Sequence, residues 1–236
     1  MNIKKHIPNI ITLLNLFCGC IALVFVSELN FVMAFCFVCV GIFLDFFDGF
    51  FARLFHVSSP LGLQLDSLAD MVTSGVVPGF VMFHLLDQSQ NPTASFIFLP
   101  YLGFIITLGS CYRLANFNID TRQTDSFIGL PTPANTLFII SLPLVLKYSN
   151  SLMVLEIVSN SWVLLGITIF SAYILNAEIP LFSLKIKDFT FQKNAIQIIF
   201  LTFSVLLLFF FQYMGIPLII ISYVLLSVVN NMFLKK

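Results

Sequence analysis

Charge is the scarcest property of this sequence. Only 9% of its 236 residues are charged, with 11 basic and 11 acidic side chains, and His occurs three times. A nucleic-acid-binding surface needs a basic patch to meet phosphates, and the sequence has neither net positive charge nor such a patch. Hydrophobic residues make up 59% of the chain and the mean hydropathy is +1.02, values far from those of soluble domains. We therefore predict a polytopic membrane protein that has no nucleic-acid partner.

Metal-binding cysteine patterns and internal repeats are also lacking. The five cysteines include one C-x-x-C pair, Cys36 and Cys39, but no second pair and no His in register for a zinc site. We predict that the cysteines are reduced, buried apolar side chains. The missing repeat argues against a transporter built from two inverted halves.

Apolar segments dominate what is present. There are eight of them, and most are close to the roughly 20 residues that a helix needs to cross a bilayer, although the fifth is short. The fold is predicted to be an all-α bundle of about eight transmembrane helices, with residues 1–236 forming a single integral membrane domain. The predicted spans are Ile10–Val26, Phe31–Arg53, Gly62–Leu86, a fourth ending near Phe117, Ala134–Leu146, Ser161–Ala177, Ala195–Gln212 and Ile216–Phe233.

The basic residues predict how the bundle is oriented. With the N-terminus in the cytoplasm and eight crossings, only Lys147 of the eleven Lys and Arg residues lies on the opposite side. Cytoplasmic segments of membrane proteins carry an excess of Lys and Arg. The ten basic residues on the predicted cytoplasmic side are Lys4, Lys5, Arg53, Arg113, Arg122, Lys185, Lys187, Lys193, Lys235 and Lys236.

Four aspartates interrupt the second and third apolar spans: Asp45, Asp48, Asp66 and Asp70. An ionised Asp at the centre of a membrane helix costs about 2.5–3.5 kcal/mol on the scale that assigns the smallest penalty. Arg53 is the only strong cation between them. Such a cluster therefore needs a compensating charge, and we predict that it has a function.

Helical spacing gathers these aspartates into one site. Asp45 and Asp48 share a face of one predicted helix, and Asp66 and Asp70 share a face of the next. A short turn, residues 54–61, can bring the two faces together. Carboxylate oxygens without nearby His or Cys favour Mg²⁺, Mn²⁺ or Ca²⁺, and four of them can hold two ions. Small residues on these faces, Gly49, Ala52 and Gly62, leave room for a ligand.

At these positions the sequence resembles the CDP-alcohol phosphotransferases, integral membrane enzymes of phospholipid synthesis. It matches all eight positions of their signature D-x-x-D-G-x-x-A-R-(eight residues)-G-x-x-x-D-x-x-x-D. The resemblance implies a CDP-alcohol phosphotransferase-like bundle and two ions, Mg²⁺ or Mn²⁺, held by the four aspartates, with Asp70 also acting as the base. It further implies that the protein is a homodimer. The orientation predicted from the basic residues puts residues 45–70 at the cytoplasmic ends of helices 2 and 3. Residues expected to bind the CDP-linked substrate are Thr12, Asn15, Gly49, Ala52, Arg53 and Gly62.

Thr12 and Asn15 have a second interpretation. They lie three residues apart on one face of the first span, and polar side chains within membrane helices tend to face the bundle. Instead of contacting substrate, they could form hydrogen bonds between helices.

Further stretches resemble the bacterial phosphatidylserine synthase branch of the family. These are PNIITLLNLFCG, LDSLADMVTSGVVPG, YRLANFN and FIGLPTPAN. That branch usually has R-L-A-R-F-N, so Asn116 stands where a second Arg is common, whereas Arg113 matches. The resemblance implies serine binding by Arg113 and Asn118, and location in a bacterial cytoplasmic membrane with the active site facing the cytoplasm.

The implied activity is transfer of the phosphatidyl group from CDP-diacylglycerol to L-serine, giving phosphatidylserine and CMP, within membrane lipid. Two alternatives stay open. The aspartate signature does not distinguish serine from glycerol phosphate or inositol as the acceptor. A cation transporter could also use intramembrane carboxylates, although an ion pathway has no need of Arg53.

Overall fold

The computed structural model describes residues 6–57, 59–89, 97–120, 122, 127–182 and 195–234. Two-residue strands β1 (Phe127–Ile128) and β2 (Pro180–Leu181) pair antiparallel, and the rest of this part of the chain is helices and their links. The prediction of an all-α membrane protein is confirmed. The α-helices are α1 (Ile7–Ser27), α2 (Phe31–Leu54), α3 (Pro60–Asp70), α4 (Val77–Asp87), α5 (Ile105–Phe117), α6 (Thr132–Tyr148), α7 (Leu152–Ser159), α8 (Ser161–Asn176), α9 (Ala195–Phe211) and α10 (Gly215–Leu234).

Four helical segments of the described chain are long and apolar enough to cross a membrane. They are Ile7–Ser27, Phe31–Leu54, Pro60–Asp87 and Ile196–Asn231, and Ser161–Asn176 is a shorter apolar helix. The last long segment folds back on itself at Gln212, where φ is +49°, so that the rings of Phe200 and Tyr223 lie 5.6 Å apart. The predicted count of about eight crossings is not confirmed by these lengths.

Three details differ from the sequence-based expectation. The third predicted span is not a continuous α-helix, because Met71–Val76 form a π-helical turn between α3 and α4. Helix α7 was not predicted. The fourth span begins with a 3₁₀ segment, Pro100–Phe104, and α5 itself has only 13 residues.

The outer surface of the described chain is strongly apolar. Large side chains such as Phe46, Leu108 and Trp162 are more than 60% exposed, which suits a surface that contacts lipid rather than water. Among the free cysteines, Cys18 is buried, but Cys20, Cys36 and Cys111 are exposed, so the prediction that the cysteines are buried was wrong for these three. Seven of the basic residues used to predict the orientation lie outside the described residues, namely Lys4, Lys5, Lys185, Lys187, Lys193, Lys235 and Lys236.

Close packing of α1, α2 and the π-helical turn positions the acidic segment. A Cβ at Gly19 of α1 would lie 2.4 Å from Thr73 Oγ1, and one at Gly41 of α2 would lie 2.9 Å from Asn15 Oδ1. Thr73 Oγ1 donates a hydrogen bond of 3.2 Å to the Asn15 carbonyl. The two glycines therefore let three backbones approach one another just beyond the aspartates.

We expect Gly19→Ala to destabilise the protein. The new methyl group would force Thr73 and its backbone away, and such overpacking costs about 1–3 kcal/mol. Gly166 on α8 is the matched control, because a Cβ there would have no neighbour within 4 Å and Ala is favoured over Gly within a helix by about 0.5–1 kcal/mol. Thermal unfolding in detergent should give a lower Tm for Gly19→Ala and an unchanged or higher one for Gly166→Ala. Equal Tm changes would contradict the packing argument.

Candidate active site

Three of the four aspartates come together where α2 and α3 face each other. One carboxylate oxygen from each of Asp45, Asp48 and Asp66 lies within 4.8 Å of the other two. The sequence spacing makes this possible, since Asp45 and Asp48 are one turn apart on α2 and Asp66 lies in the second turn of α3. We call this group the acidic cluster.

The acidic cluster has the properties of a cation site. Asp48 is only 6% exposed, and Asp45 Oδ1 is buried without a hydrogen-bond partner among the described residues. Ionised carboxylates this close repel one another strongly once they are shielded from water. Since oxygen-only donor sets suit hard divalent cations, these residues fit a divalent metal ion.

Asp70 is not one of the three aspartates that form the acidic cluster. It is the last residue of α3 and directly precedes the π-helical turn. Its Oδ1 accepts a hydrogen bond of 3.3 Å from Asn15 Nδ2. An amide donor on this oxygen orients the carboxylate, so Asp70 has a different environment from the three other aspartates.

Helix α1 contacts both groups of carboxylates. Thr12 Oγ1 lies 2.5 Å from Asp48 Oδ2 and 3.0 Å from the Pro8 carbonyl, and its single hydroxyl proton can go to either acceptor. Thr12 therefore contacts Asp48 on α2, and Asn15 bonds to Asp70 on α3. These are the hydrogen bonds between helices that were one of the two interpretations of Thr12 and Asn15. Contact of either residue with a substrate stays a prediction.

A cleft of about 170 Å³ opens beside the acidic cluster. It is partly open, so a ligand larger than the cleft can extend out of it. Of the residues expected to bind the CDP-linked substrate, four line it: Thr12, Gly49, Ala52 and Gly62. The other lining residues are Pro8, Asn9, Asp48, Val57, Ser59, Leu63 and Asp66.

Arg53 lies at the edge of this cleft. Its side chain is exposed and runs along Gly49, with Nη1 3.5 Å from the position that a Cβ there would take. A Cβ at position 49 would therefore be in ordinary van der Waals contact with the guanidinium. Asn15 is not among the residues that line the cleft; it is fully buried beneath Asp70.

Two polar residues of the cleft were missed by the sequence analysis. Asn9 Oδ1 and Ser59 Oγ both lie 3.3 Å from the position of a Cβ at Gly62. Ser59 caps the N-terminus of α3 by accepting a 3.0 Å hydrogen bond from the Gly62 N–H. A Ser immediately before a Pro is a helix-start pattern that could have identified it, whereas Asn9 gave no comparable signal.

Asn118 approaches the acidic cluster from α5. Its side chain exchanges two hydrogen bonds with Ser67, one of 2.9 Å from Nδ2 and one of 3.2 Å to Oδ1. Ser67 directly follows Asp66. The structure thus brings this predicted acceptor-binding residue, at the C-terminal end of α5, into contact with the α3 residue that follows Asp66.

Arg113 is held elsewhere. Its Nη1 donates to the carbonyls of Ile128 and Leu175, at 2.8 and 2.9 Å, and the residue is 7% exposed. It lines a separate cavity of about 140 Å³ together with Asp120, Arg122 and Glu178. Arg113 therefore ties α5 to β1 and to the end of α8, and the structure does not place it in the cleft beside the acidic cluster.

Comparison with known proteins assigns this arrangement to a family. The model of the CDP-alcohol phosphatidyltransferase family matches residues 5–229, which is nearly the whole chain. The chain belongs to this family. This assignment agrees with the match to all eight signature positions. The structure brings three of the signature aspartates and the small residues that line the cleft into one site.

Several curated relatives carry the name CDP-diacylglycerol–serine O-phosphatidyltransferase. The chain is 36% identical to the protein of that name from Bacillus subtilis (strain 168) over 133 residues, which are 55% of this chain and 70% of the relative. It is 33% identical to the Helicobacter pylori (strain J99) protein over 135 residues, 56% of this chain and 55% of the relative. The Saccharomyces cerevisiae protein is 31% identical over 153 residues, 58% of this chain and 53% of the relative. The chain thus spans about half the length of the last two.

We expect each of Asp45→Asn, Asp48→Asn and Asp66→Asn to weaken Mn²⁺ binding by at least about tenfold, because each removes one negative charge from the acidic cluster. Electron paramagnetic resonance of the purified protein titrated with Mn²⁺ measures this without substrate. Glu156→Gln on α7, outside the cluster, is the control that should bind as the parent protein does. Unchanged affinity in the three Asp variants would rule out the cluster as a metal site.

Proposed function

We propose that this chain transfers the phosphatidyl group of CDP-diacylglycerol to the hydroxyl of L-serine, yielding phosphatidylserine and CMP. The observation that carries the proposal is the acidic cluster, formed by the signature aspartates in a chain that belongs to this family. The shared name of the three relatives supports serine as the acceptor, over the parts of those proteins that align.

The cleft beside the acidic cluster is the proposed site for the CDP part of the donor. Gly49, Ala52 and Gly62 leave its walls without bulky side chains, so a pyrophosphate can approach the backbone. Arg53, exposed at the edge, supplies a positive charge for a phosphate. We propose that Thr12 faces the nucleotide from α1 and that Asn15 acts from beneath, through Asp70.

The proposed cofactor is a pair of Mg²⁺ or Mn²⁺ ions held by Asp45, Asp48, Asp66 and Asp70. Bound divalent cations supply charge neutralisation on the pyrophosphate and on the departing CMP. The buried, unpartnered oxygen of Asp45 supports this assignment, as does the absence of His and Cys from the acidic cluster itself.

Asp70 is the proposed general base. It removes the proton from the serine hydroxyl while that oxygen attacks the phosphorus bearing diacylglycerol; the new P–O bond forms as the P–O bond to CMP breaks. The hydrogen bond from Asn15 occupies one oxygen of Asp70 and leaves the other to accept the proton. A single in-line displacement is sufficient for this exchange.

Serine is proposed to enter from the side of α5. Asn118 is hydrogen-bonded to Ser67, which directly follows Asp66 of the acidic cluster. Arg113 remains a proposed partner of the serine carboxylate through its remaining guanidinium nitrogens, since Nη1 is occupied by two carbonyls.

We further propose a single membrane domain, residues 1–236, in a bacterial cytoplasmic membrane, with residues 45–70 facing the cytoplasm and the chain assembled as a homodimer. The apolar surface keeps the diacylglycerol chains of the donor in lipid, while the polar cleft admits the nucleotide.

Labelled-acceptor assays with the purified protein test the proposal. Serine should enter lipid only in the presence of CDP-diacylglycerol and Mg²⁺ or Mn²⁺. Labelled glycerol phosphate and inositol are offered under the same conditions; incorporation of either in place of serine would reassign the acceptor. Cation flux into vesicles without any lipid product would support a transporter and overturn the proposal.

Asp70→Asn should separate chemistry from binding. We expect turnover to fall by about 10²–10⁴, the usual contribution of a general base, while affinity for CDP-diacylglycerol changes much less than in Asp45→Asn. Calorimetry gives the binding and single-turnover kinetics give the chemical step. If the Asp70 variant loses binding as completely as Asp45→Asn does, Asp70 is a metal ligand only and the base lies elsewhere.

Arg113→Lys tests the acceptor side. Lys cannot reproduce the two-pronged geometry of a guanidinium. If Arg113 contacts the serine carboxylate, the variant should therefore have a KM for serine raised about tenfold or more, while the KM for CDP-diacylglycerol changes little. Steady-state kinetics with each substrate varied in turn measures both values. A lower Tm with both KM values unchanged would leave Arg113 only its structural role between α5, β1 and α8.

A further inference from the structure

The π-helical turn between α3 and α4 directly follows Asp70. It comprises Met71–Val76, and the Val77 N–H donates to the Val72 carbonyl, five residues back instead of four. Turns of this kind widen a helix and rotate the side chains beyond them relative to those before. The direction in which Asp66 and Asp70 point is therefore coupled to this turn.

Pro78 accounts for a missing hydrogen bond in the turn. In an α-helix the Ser74 carbonyl would accept from the N–H of residue 78, but Pro has no N–H. A carbonyl left unpaired within a membrane costs several kcal/mol unless another group satisfies it. The α-helical donor to the Ser74 carbonyl is thus missing, so a hydroxyl from another helix can supply a hydrogen bond there.

Hydroxyl groups from two neighbouring helices lie within hydrogen-bond distance of the carbonyls in the turn. Thr136 Oγ1 of α6 lies 2.9 Å from the Ser74 carbonyl, and Ser110 Oγ of α5 lies 3.5 Å from it. Thr107 Oγ1 of α5 donates a 2.9 Å bond to the next carbonyl, that of Gly75. Thr107 reaches it because Gly79 has no side chain: a Cβ there would lie 2.1 Å from the hydroxyl.

We propose that Thr136 and Thr107 are positioning residues, whose hydroxyls hold the π-helical turn open and so orient Asp70 and Asp66 toward α2. The inference rests on the proposed function, because it assigns a catalytic and metal-binding task to those aspartates. Neither threonine belongs to the acidic cluster or to its cleft. Their effect passes through the backbone of residues 71–76.

Thr136 has a closely matched control within the chain. Thr136 and Thr168 are both fully buried, and each places its hydroxyl 2.8 Å from the carbonyl four residues earlier in its own helix, Thr132 and Leu164. Only Thr136 also reaches the π-helical turn. Replacing either by Val removes the same hydroxyl and keeps the same shape.

We expect Thr136→Val to lower kcat by about 10- to 100-fold, the effect of a small misplacement of reacting groups, while the KM for CDP-diacylglycerol changes little. It should also weaken Mn²⁺ binding by the substrate-free protein. Thr136→Ser should restore both, and Thr168→Val should leave both unchanged. Thr107→Val should resemble Thr136→Val, which keeps the inference testable if one of the two variants does not fold.

Pro78→Ala provides a test in the opposite direction. It returns an N–H to position 78, so the α-helical bond to Ser74 can form and the turn can close. We expect kcat to fall by about tenfold although Tm stays the same or rises. A merely structural role for the turn would not separate activity from stability in this way.

The outcomes keep the two proposals distinct. If the parent protein transfers no phosphatidyl group to serine, the proposed function fails, and the Mn²⁺ titrations still test the positioning role. If the parent protein is active and Thr136→Val matches Thr168→Val in kcat and Mn²⁺ affinity, or Pro78→Ala retains full activity, the positioning role is overturned.

Discussion

Repulsion among carboxylates set in apolar helices is the constraint on which the rest of this structure depends. Asp45, Asp48 and Asp66 hold their oxygens within 4.8 Å in a chain with little other charge. Water would screen such a group on the surface of a soluble protein, whereas a lipid-embedded bundle cannot. A cation bound between the oxygens would relieve the repulsion, so metal binding and folding of the site would stabilise each other.

Helix α1 is part of the site rather than a simple membrane anchor. Thr12 and Asn15 donate to Asp48 and Asp70 from one face of that helix, one turn apart. Donors of this kind fix the orientation of a carboxylate and reduce its charge density. They make the geometry of the acidic residues depend on three helical segments instead of two.

The π-helical turn shows how the membrane setting shapes a helix near a site. A bilayer offers no water to satisfy a free carbonyl, so the proline at position 78 is tolerated only where hydroxyl donors can reach the backbone. Here they come from α5 and α6. Helix α5 also carries Arg113 and is followed by Asn118, which bonds to Ser67 of α3, so one helix contacts both the π-helical turn and the segment that holds Asp66.

The sequence by itself determined the membrane class and the pairing of the aspartates. Long apolar runs require helices in lipid, and the 3.6-residue period puts Asp45 with Asp48 on one face. Local periodicity could not reveal contacts between distant segments. Only the tertiary structure decided that Asn15 bonds to Asp70, that Arg113 is held by the carbonyls of residues 128 and 175, and that Pro78 lies beyond a π-helical turn. Each depends on a partner 15 or more residues away or on donors from other helices, whose positions follow from the packing of the whole bundle.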